Sequence, residues 1–190
     1  DLNAVIAALE DCPKPVVAAI HGTALGGGLE TALGCHYRCA VPSAQVGLPE
    51  VKLGIIPGAG GTQRLPRIAR VQAALESITR GDPIPAAKAH ALGIIDEIID
   101  EKLEGAAAFA EKIVAEGRPL RRIRDLDDKL VDARNNSSVF DEARKALAKS
   151  KRGYEAPQHG INAIEAAVSL PFDKGLERER EIFGEALFST

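Results

Sequence analysis

The chain has 190 residues, a formal net charge of −3 and 45% apolar residues. That length buries a real core and suits one domain better than two, and no apolar run approaches the ~18 residues of a membrane span. The 24 basic and 27 acidic residues nearly cancel, so no global charge draws the chain to nucleic acid or acidic membranes. Tyr37 is the only aromatic residue in the first 108 positions, which removes stacking platforms for bases or sugars from that stretch.

In chain order, Ala4 to Glu10 reads as a helix, ended by Pro13. Val16 to Ile20 is an apolar run between Pro15 and Gly22, suited to a buried strand. Gly26 to Gly28 opens a second helix that runs to about Cys35, and Tyr37 to Val41 is a second short strand. Gln45 to Ile56 reads as extended chain or loop, and a glycine cluster follows at Gly58 to Gly61. Helix is predicted again near Ala69 to Thr79 and from Pro85 to Leu92, where Gly93 is a good C-terminal stop. Ile94 to Ile99 reads as a strand, and Leu103 to Ala115 as a helix. Ser138 to Ser150, Pro157 to Leu170 and Phe172 to Phe188 complete an all-helical tail. In the last of these, Leu176, Ile182, Phe183 and Leu187 fall near one face. Strands alternating with helices, then a helical tail, predict an α/β layer with helices packed on it.

Methionine is absent and the first residue is Asp1, so an upstream segment is expected to have been removed or to lie outside this sequence. No signal-peptide pattern is present. Cys12, Cys35 and Cys39 are too few for a disulfide framework, which points to a reducing compartment. Cys35, His36 and Cys39 admit a metal reading. The plainer reading, half-buried small residues, is preferred because no second Cys/His pair at zinc spacing follows.

Ten of the 18 glycines lie between Gly22 and Gly61, where charge is sparse. Such a segment reads as buried backbone that turns tightly or approaches a ligand. Within it, His21-Gly-Thr-Ala-Leu-Gly-Gly-Gly-Leu-Glu30 carries a buried strand into a helix start. Helix N-terminal N–H groups lack internal partners, and here no side chains obstruct them. They suit an anion or a developing oxyanion, with a tight packing turn as the equal alternative. Known phosphate loops do not fit. Gly58-Ala-Gly60-Gly61-Thr-Gln63 lacks the last glycine of the dinucleotide fingerprint, and Gly22 to Gly28 has glycine where a phosphate-loop lysine must stand.

Glu30 and Glu50 are the only carboxylates between Asp11 and Glu76. Glu30 falls in the first turn of the glycine-initiated helix, where the dipole favours its ionised form. Glu50 lies in the largely apolar Val46-Gly-Leu-Pro-Glu-Val-Lys-Leu53, where desolvation holds a proton near neutrality. Opposed environments suit a general base and a general acid. Singly, each reads as an ordinary helix-start or loop carboxylate, but beside the glycine anion site the pair reads as an active site. Arg118, Arg121, Arg122 and Arg124 admit a phosphate- or RNA-binding reading. A solvated surface is preferred, because Asp125, Asp127 and Asp128 follow at once. For His21 a structural hydrogen bond is expected rather than catalysis. Tyr154 and His159 are candidates to line a tunnel.

Ala24-Leu-Gly-Gly-Gly-Leu-Glu30, followed by Leu48-Pro-Glu-Val-Lys-Leu-Gly-Ile-Ile-Pro-Gly-Ala-Gly-Gly-Thr-Gln-Arg-Leu65, resembles the enoyl-CoA hydratase/isomerase (crotonase) superfamily. The resemblance continues through Gly81-Asp-Pro-Ile-Pro to Asp96. The tail, from Ala156-Pro-Gln158 through Pro171-Phe-Asp-Lys-Gly-Leu-Glu-Arg-Glu-Arg-Glu181, is similar to the hydratase half of multifunctional fatty-acid β-oxidation enzymes. It implies an α/β fold: a crotonase-like ββα superhelix over residues 1–117, its N-terminal part missing here, then a helical C-terminal region over 118–190 packing on that core.

The resemblance also implies chemistry. The substrate is a 2-trans-enoyl thioester on coenzyme A, hydrated to the 3-hydroxyacyl-CoA in fatty-acid β-oxidation, with double-bond isomerisation as a side activity. Gly27 supplies one oxyanion N–H, Glu30 activates water, Glu50 protonates the α-carbon, and Gly28 and Gly58 line the substrate and water site. No metal and no separate cofactor are expected, since coenzyme A is part of the substrate, and no nucleic acid or membrane partner is implied. The other oxyanion donor and much of the coenzyme A groove lie upstream of Asp1 in the family. In multifunctional relatives a dehydrogenase half follows; this sequence stops at Thr190, so no NAD site is expected. Single-activity relatives are often hexamers, whereas the multifunctional tail folds over its own active site, which leaves homo-oligomerisation open. The implied location is the bacterial cytoplasm or, in a eukaryote, the peroxisome or mitochondrial matrix. The competing readings are another crotonase-fold acyl-CoA reaction and a catalytically silent fragment or interaction module.

Overall fold

The computed structural model describes residues 1–100, 103–150 and 155–188. Helix α1 (Leu2–Glu10) is capped by the Asp1 carboxylate, which accepts from the Asn3 N–H at 3.0 Å. Strands β1 (Val17–Ile20) and β2 (Thr23–Leu25) are joined through His21 and Gly22, whose φ of 79° turns the chain from one sheet into another. Helix α2 (Gly27–Gly34) follows, then β3 (Tyr37–Ala40), β4 (Gln45–Gly47) and a 3-10 turn over Glu50–Leu53. Strand β3 lies parallel to β1 with Val17 opposite Tyr37, and β4 lies parallel to β2 with Thr23 opposite Gln45. Each successive strand pair thus contributes one strand to each sheet, and the second pair stacks on the first. This is a ββα superhelical layering.

Helices α3 (Gly61–Ala69) and α4 (Val71–Arg80) come next, then β5 (Ile84–Pro85), α5 (Ala86–Ala91), β6 (Glu97–Ile98) and α6 (Leu103–Ala115). Strand β6 extends the first sheet beside β3, and β5 closes the second antiparallel to β4. The tail holds α7 (Val131–Asn135), α8 (Ser138–Ser150), α9 (Ala156–Ser169) and α10 (Phe172–Phe188). One apolar cluster runs from Leu29, Leu33, Val46 and Leu65 through Leu75 and Ile94 to Ile123, Phe140, Ile161 and Ile164. Helices α7, α8 and α9 therefore share the core of the sheets, and α10 joins through Ile182, which packs with Ile56 and Ala163. No helix of the described residues is long and apolar enough to cross a membrane.

Four expectations are corrected. The helix expected over Ala69–Thr79 is α4 (Val71–Arg80), but an unexpected helix, α3, precedes it from Gly61, and Arg70, with φ 75°, separates the two. Every residue of α3 is buried, including Thr62, Gln63, Arg64 and Arg67, so its polar residues hid it from a search for an apolar stripe. The strand expected over Ile94–Ile99 is only Glu97–Ile98, because Ile94 and Ile95 drop into the core and Asp96 turns to bind Arg38. The Gln45–Ile56 stretch divides into β4 and the 3-10 turn, so Glu50 stands in a helical turn rather than a loop. On α10 the inward stripe is Phe172, Gly175, Glu179, Ile182 and Ala186, and Leu187 is exposed.

Candidate active site

The site is built where α2 begins. Gly26 precedes the helix with φ 56° and no side chain caps it. The N–H groups of Gly27 and Gly28 have no acceptor among the described residues. A Cβ on Gly26 would lie 3.1 Å from Glu50 Oε1, so the missing side chain lets the Glu50 carboxyl lie against this helix start. A Cβ on Gly27 would meet Leu2 Cδ2 of α1 at 3.2 Å. Nothing lies within 4 Å of the corresponding position on Gly28, which opens into space.

Glu30, one turn into α2, is 3% exposed. Its Oε1 accepts from the N–H groups of Ala59 and Gly61 at 2.8 and 2.9 Å, and its Oε2 accepts no hydrogen bond among the described residues. A Cβ on Gly61 would lie 2.8 Å from that Oε1, which explains a glycine there. Burial pushes the Glu30 carboxyl above its ordinary value; the two N–H groups and the field of Arg64 pull it back only in part. The helix dipole favours the ionised form of Glu30, while burial opposes it and moves the carboxyl upward overall.

Glu50 is half-buried, at the start of the 3-10 turn. Its Oε2 is buried and without a hydrogen-bond partner. Burial pushes its carboxyl up to about 7, its own backbone N–H opposes this, and the charge of Glu30 adds to it. One carboxyl group is thus held by two amides, and a second, within its electrostatic reach, holds its proton up to about 7. Gly58 lies beside them: Asn3 Nδ2 donates to its carbonyl at 3.2 Å, and a Cβ there would strike Phe183 of α10 at 2.8 Å.

Sequence reasoning missed Glu179. This α10 residue is 1% exposed, and its carboxylate accepts from the N–H groups of Gly60 (2.7 Å) and Thr62 (3.1 Å) and from the Thr62 hydroxyl. Burial pushes it up to about 8; the Thr62 hydroxyl opposes this and the Glu30 charge reinforces it. Its signal was spacing, since Gly175, Glu179 and Ile182 follow the 4-then-3 rhythm of a buried stripe.

The other candidates lie elsewhere. Arg118, Arg121, Arg122 and Arg124 pair with Glu116, Asp96, Asp11 and Asp173 respectively. The solvated surface expected of them is corrected, since all four are half-buried and Arg121 and Arg124 lie over the rings of Tyr37 and Phe172. His21 is exposed, and the structural hydrogen bond expected of it is not formed among the described residues, because the chain turns it outward at the sheet switch. His36 makes a structural pair of contacts instead, with the N–H of Val16 and the carbonyl of Glu10. Among the described residues no group of His, Cys, Asp and Glu is arranged to hold a metal, and Cys12, Cys35 and Cys39 are unpaired. His159 stands 4.0 Å from Glu185. Tyr154 lies outside the described residues.

Comparison with known proteins gives concordant matches. A family model described as enoyl-CoA hydratase/isomerase matches residues 1–165. The peroxisomal bifunctional enzyme of Homo sapiens is 44% identical over 183 residues, 96% of this chain and 25% of that protein. The glyoxysomal fatty acid beta-oxidation multifunctional protein of Cucumis sativus is 42% identical over 185 residues, 95% of this chain and 25% of that protein. The chain thus spans about a quarter of the length of these curated relatives. Among solved structures, an enoyl-CoA hydratase from Bacillus anthracis is 32% identical, covers the whole chain with 60% of its own length, and superposes with a TM-score of 0.58.

Proposed function

The chain belongs to the enoyl-CoA hydratase/isomerase family, and from that membership we propose that it adds water across the double bond of a 2-trans-enoyl-CoA in fatty-acid β-oxidation. The observation that carries this reading is the pair Glu30 and Glu50 flanking an uncapped, glycine-built helix start. The thioester carbonyl accepts a hydrogen bond from the Gly27 N–H, with Gly28 leaving room for substrate, while Gly58, covered by Phe183, leads into the Ala59 amide that holds Glu30 beside the water. Glu30, through its unbonded Oε2, takes a proton from water as the oxygen attacks C3. The electron pair moves toward the thioester oxygen, giving an enolate-like state that the N–H group stabilises. Glu50 then delivers its proton to C2. Water has supplied one hydrogen and one hydroxyl overall, once Glu30 returns its proton and Glu50 regains one.

A carboxyl protonated near neutrality is matched to that last step. The same group, moving a proton between C2 and C4, supports double-bond isomerisation as a side activity. This chemistry needs no metal or redox group, because coenzyme A enters with the substrate. We place the reaction in the peroxisome of a eukaryote or the cytoplasm of a bacterium, the first following the names of the relatives.

The test is Glu50→Gln in the intact protein. We expect kcat for hydration of a short enoyl-CoA to fall by about 10²–10⁴-fold, with acyl-CoA affinity within about threefold. Wild-type turnover by this variant removes Glu50 as the proton donor.

A further inference from the structure

Helix α10 turns an apolar stripe inward, and at its middle stands Glu179, 1% exposed. A buried carboxylate is costly unless it is bonded, and an apolar residue would serve packing better. No lysine or arginine pairs with Glu179 among the described residues; backbone N–H groups and one hydroxyl hold it. Those donors belong to the loop that holds Glu30. From Ala59 to Thr62, four consecutive N–H groups point alternately to the two sides. Ala59 and Gly61 donate to Glu30, and Gly60 and Thr62 donate to Glu179. Each carboxylate fixes the amides between those that the other binds.

Two further contacts show α10 seated on this loop. Phe183 covers Gly58, and Gly175 admits Gln63, whose Nε2 donates to the Thr62 hydroxyl at 2.8 Å and to the Ala163 carbonyl at 2.9 Å. That contact leaves the Thr62 hydroxyl hydrogen free to point at Glu179.

We propose that Glu179 is a positioning residue of the hydration site: from α10 it clamps the Ala59–Thr62 loop in the shape that fixes the Glu30 carboxylate for attack on water. The proposal rests on the reading of Glu30 as the base. Among the described residues Glu179 makes no hydrogen bond to Gly27 or Glu50, so its effect is expected on the step that Glu30 serves. The tail helix is thereby part of the catalytic apparatus as well as of the core.

The test is a double-mutant cycle in the intact protein, with Glu179→Gln, Glu30→Gln and both together, read as kcat and KM for a short enoyl-CoA. Enzyme in excess captures the slow variants. The glutamine keeps the volume and one acceptor for Gly60 but turns an amide N–H₂ toward Thr62. We expect Glu179→Gln alone to lower kcat by about 10- to 100-fold, the scale of a small misplacement of a catalytic group, with KM within about threefold. On the Glu30→Gln background it should cost less than about threefold, because residues acting as a unit are not additive. Thr62→Val, which removes one donor to Glu179, should repeat the pattern more weakly, and it carries the test if Glu179→Gln does not fold. Equal fold losses on both backgrounds, no loss at all, or a rise in KM with kcat unchanged would each overturn the proposal. Wild-type turnover by Glu30→Gln alone would show separately that the base assignment has failed and would take the proposal with it.

Discussion

Glu50, proposed above as the proton donor, also makes stability depend on pH. Its folded-state carboxyl sits at about 7 against an ordinary 4.5 because burial disfavours the charged form. The fold therefore prefers the proton. The stabilisation is complete below about pH 4.5 and is lost as pH rises through about 7. Glu50→Gln, neutral at every pH, should match the wild-type melting temperature at pH 4 and exceed it by a few degrees at pH 8. A wild-type melting temperature equal to the variant's at both values would contradict the shift. Glu30 and Glu50 were legible in the sequence because they are isolated carboxylates in a charge-poor, glycine-rich stretch. Glu179 was not, because Glu-Arg-Glu-Arg-Glu181 looks like a solvated face unless helical phase is followed from Gly175 to Ile182.

Helix α10 separates two glycines by what surrounds them. A Cβ on Gly175 would lie 2.1 Å from Gln63 Oε1, and Gln63 is held by its bonds to Thr62 and Ala163. A Cβ on Gly184 would meet nothing within 4 Å. In urea titrations Gly175→Ala should destabilise by about 1–3 kcal/mol, whereas Gly184→Ala should stabilise by about 0.5–1 kcal/mol through helix propensity. The same sign for both would mean that α10 does not pack here as described. At this scale the sequence was legible where pattern and burial coincide, as in α9 and the span of α10; β1 stands where it was expected, but the fully buried strand is corrected, since Ala19 is exposed and only Ile20 is buried. It failed for β2, three residues hidden between glycines, and for α3, whose buried Thr, Gln and Arg side chains carry no apolar rhythm. Their partners, Glu10, Glu179 and the α9 backbone, are distant in the chain.

Across the whole molecule, one buried ion pair ties α1 to α3: Arg64 Nε and Nη2 donate to Glu10 at 2.9 and 2.8 Å, with both side chains almost fully buried. Arg64, Arg67 and Arg124 also surround the Phe172 ring, at 5.0, 5.1 and 4.8 Å from its centre, which ties the start of α10 to the same place. Removing one partner leaves the other charge buried, so Arg64→Leu should cost about 3–5 kcal/mol in equilibrium unfolding. A cost under about 1 kcal/mol would show that Glu10 reaches water or another partner. The layering of two sheets was legible only as alternation of strand and helix, because which strand joins which sheet depends on the turn at Gly22. All of these supports converge on the start of α2 and the Ala59–Thr62 loop, and what they hold in place is the site we propose for hydrating an enoyl thioester. The most direct measurement is the loss of conjugated thioester absorbance when the intact protein meets a short 2-trans-enoyl-CoA. The account predicts turnover to the 3-hydroxyacyl-CoA that is abolished in both Glu30→Gln and Glu50→Gln. A folded protein that binds the acyl-CoA yet leaves that absorbance unchanged would contradict it.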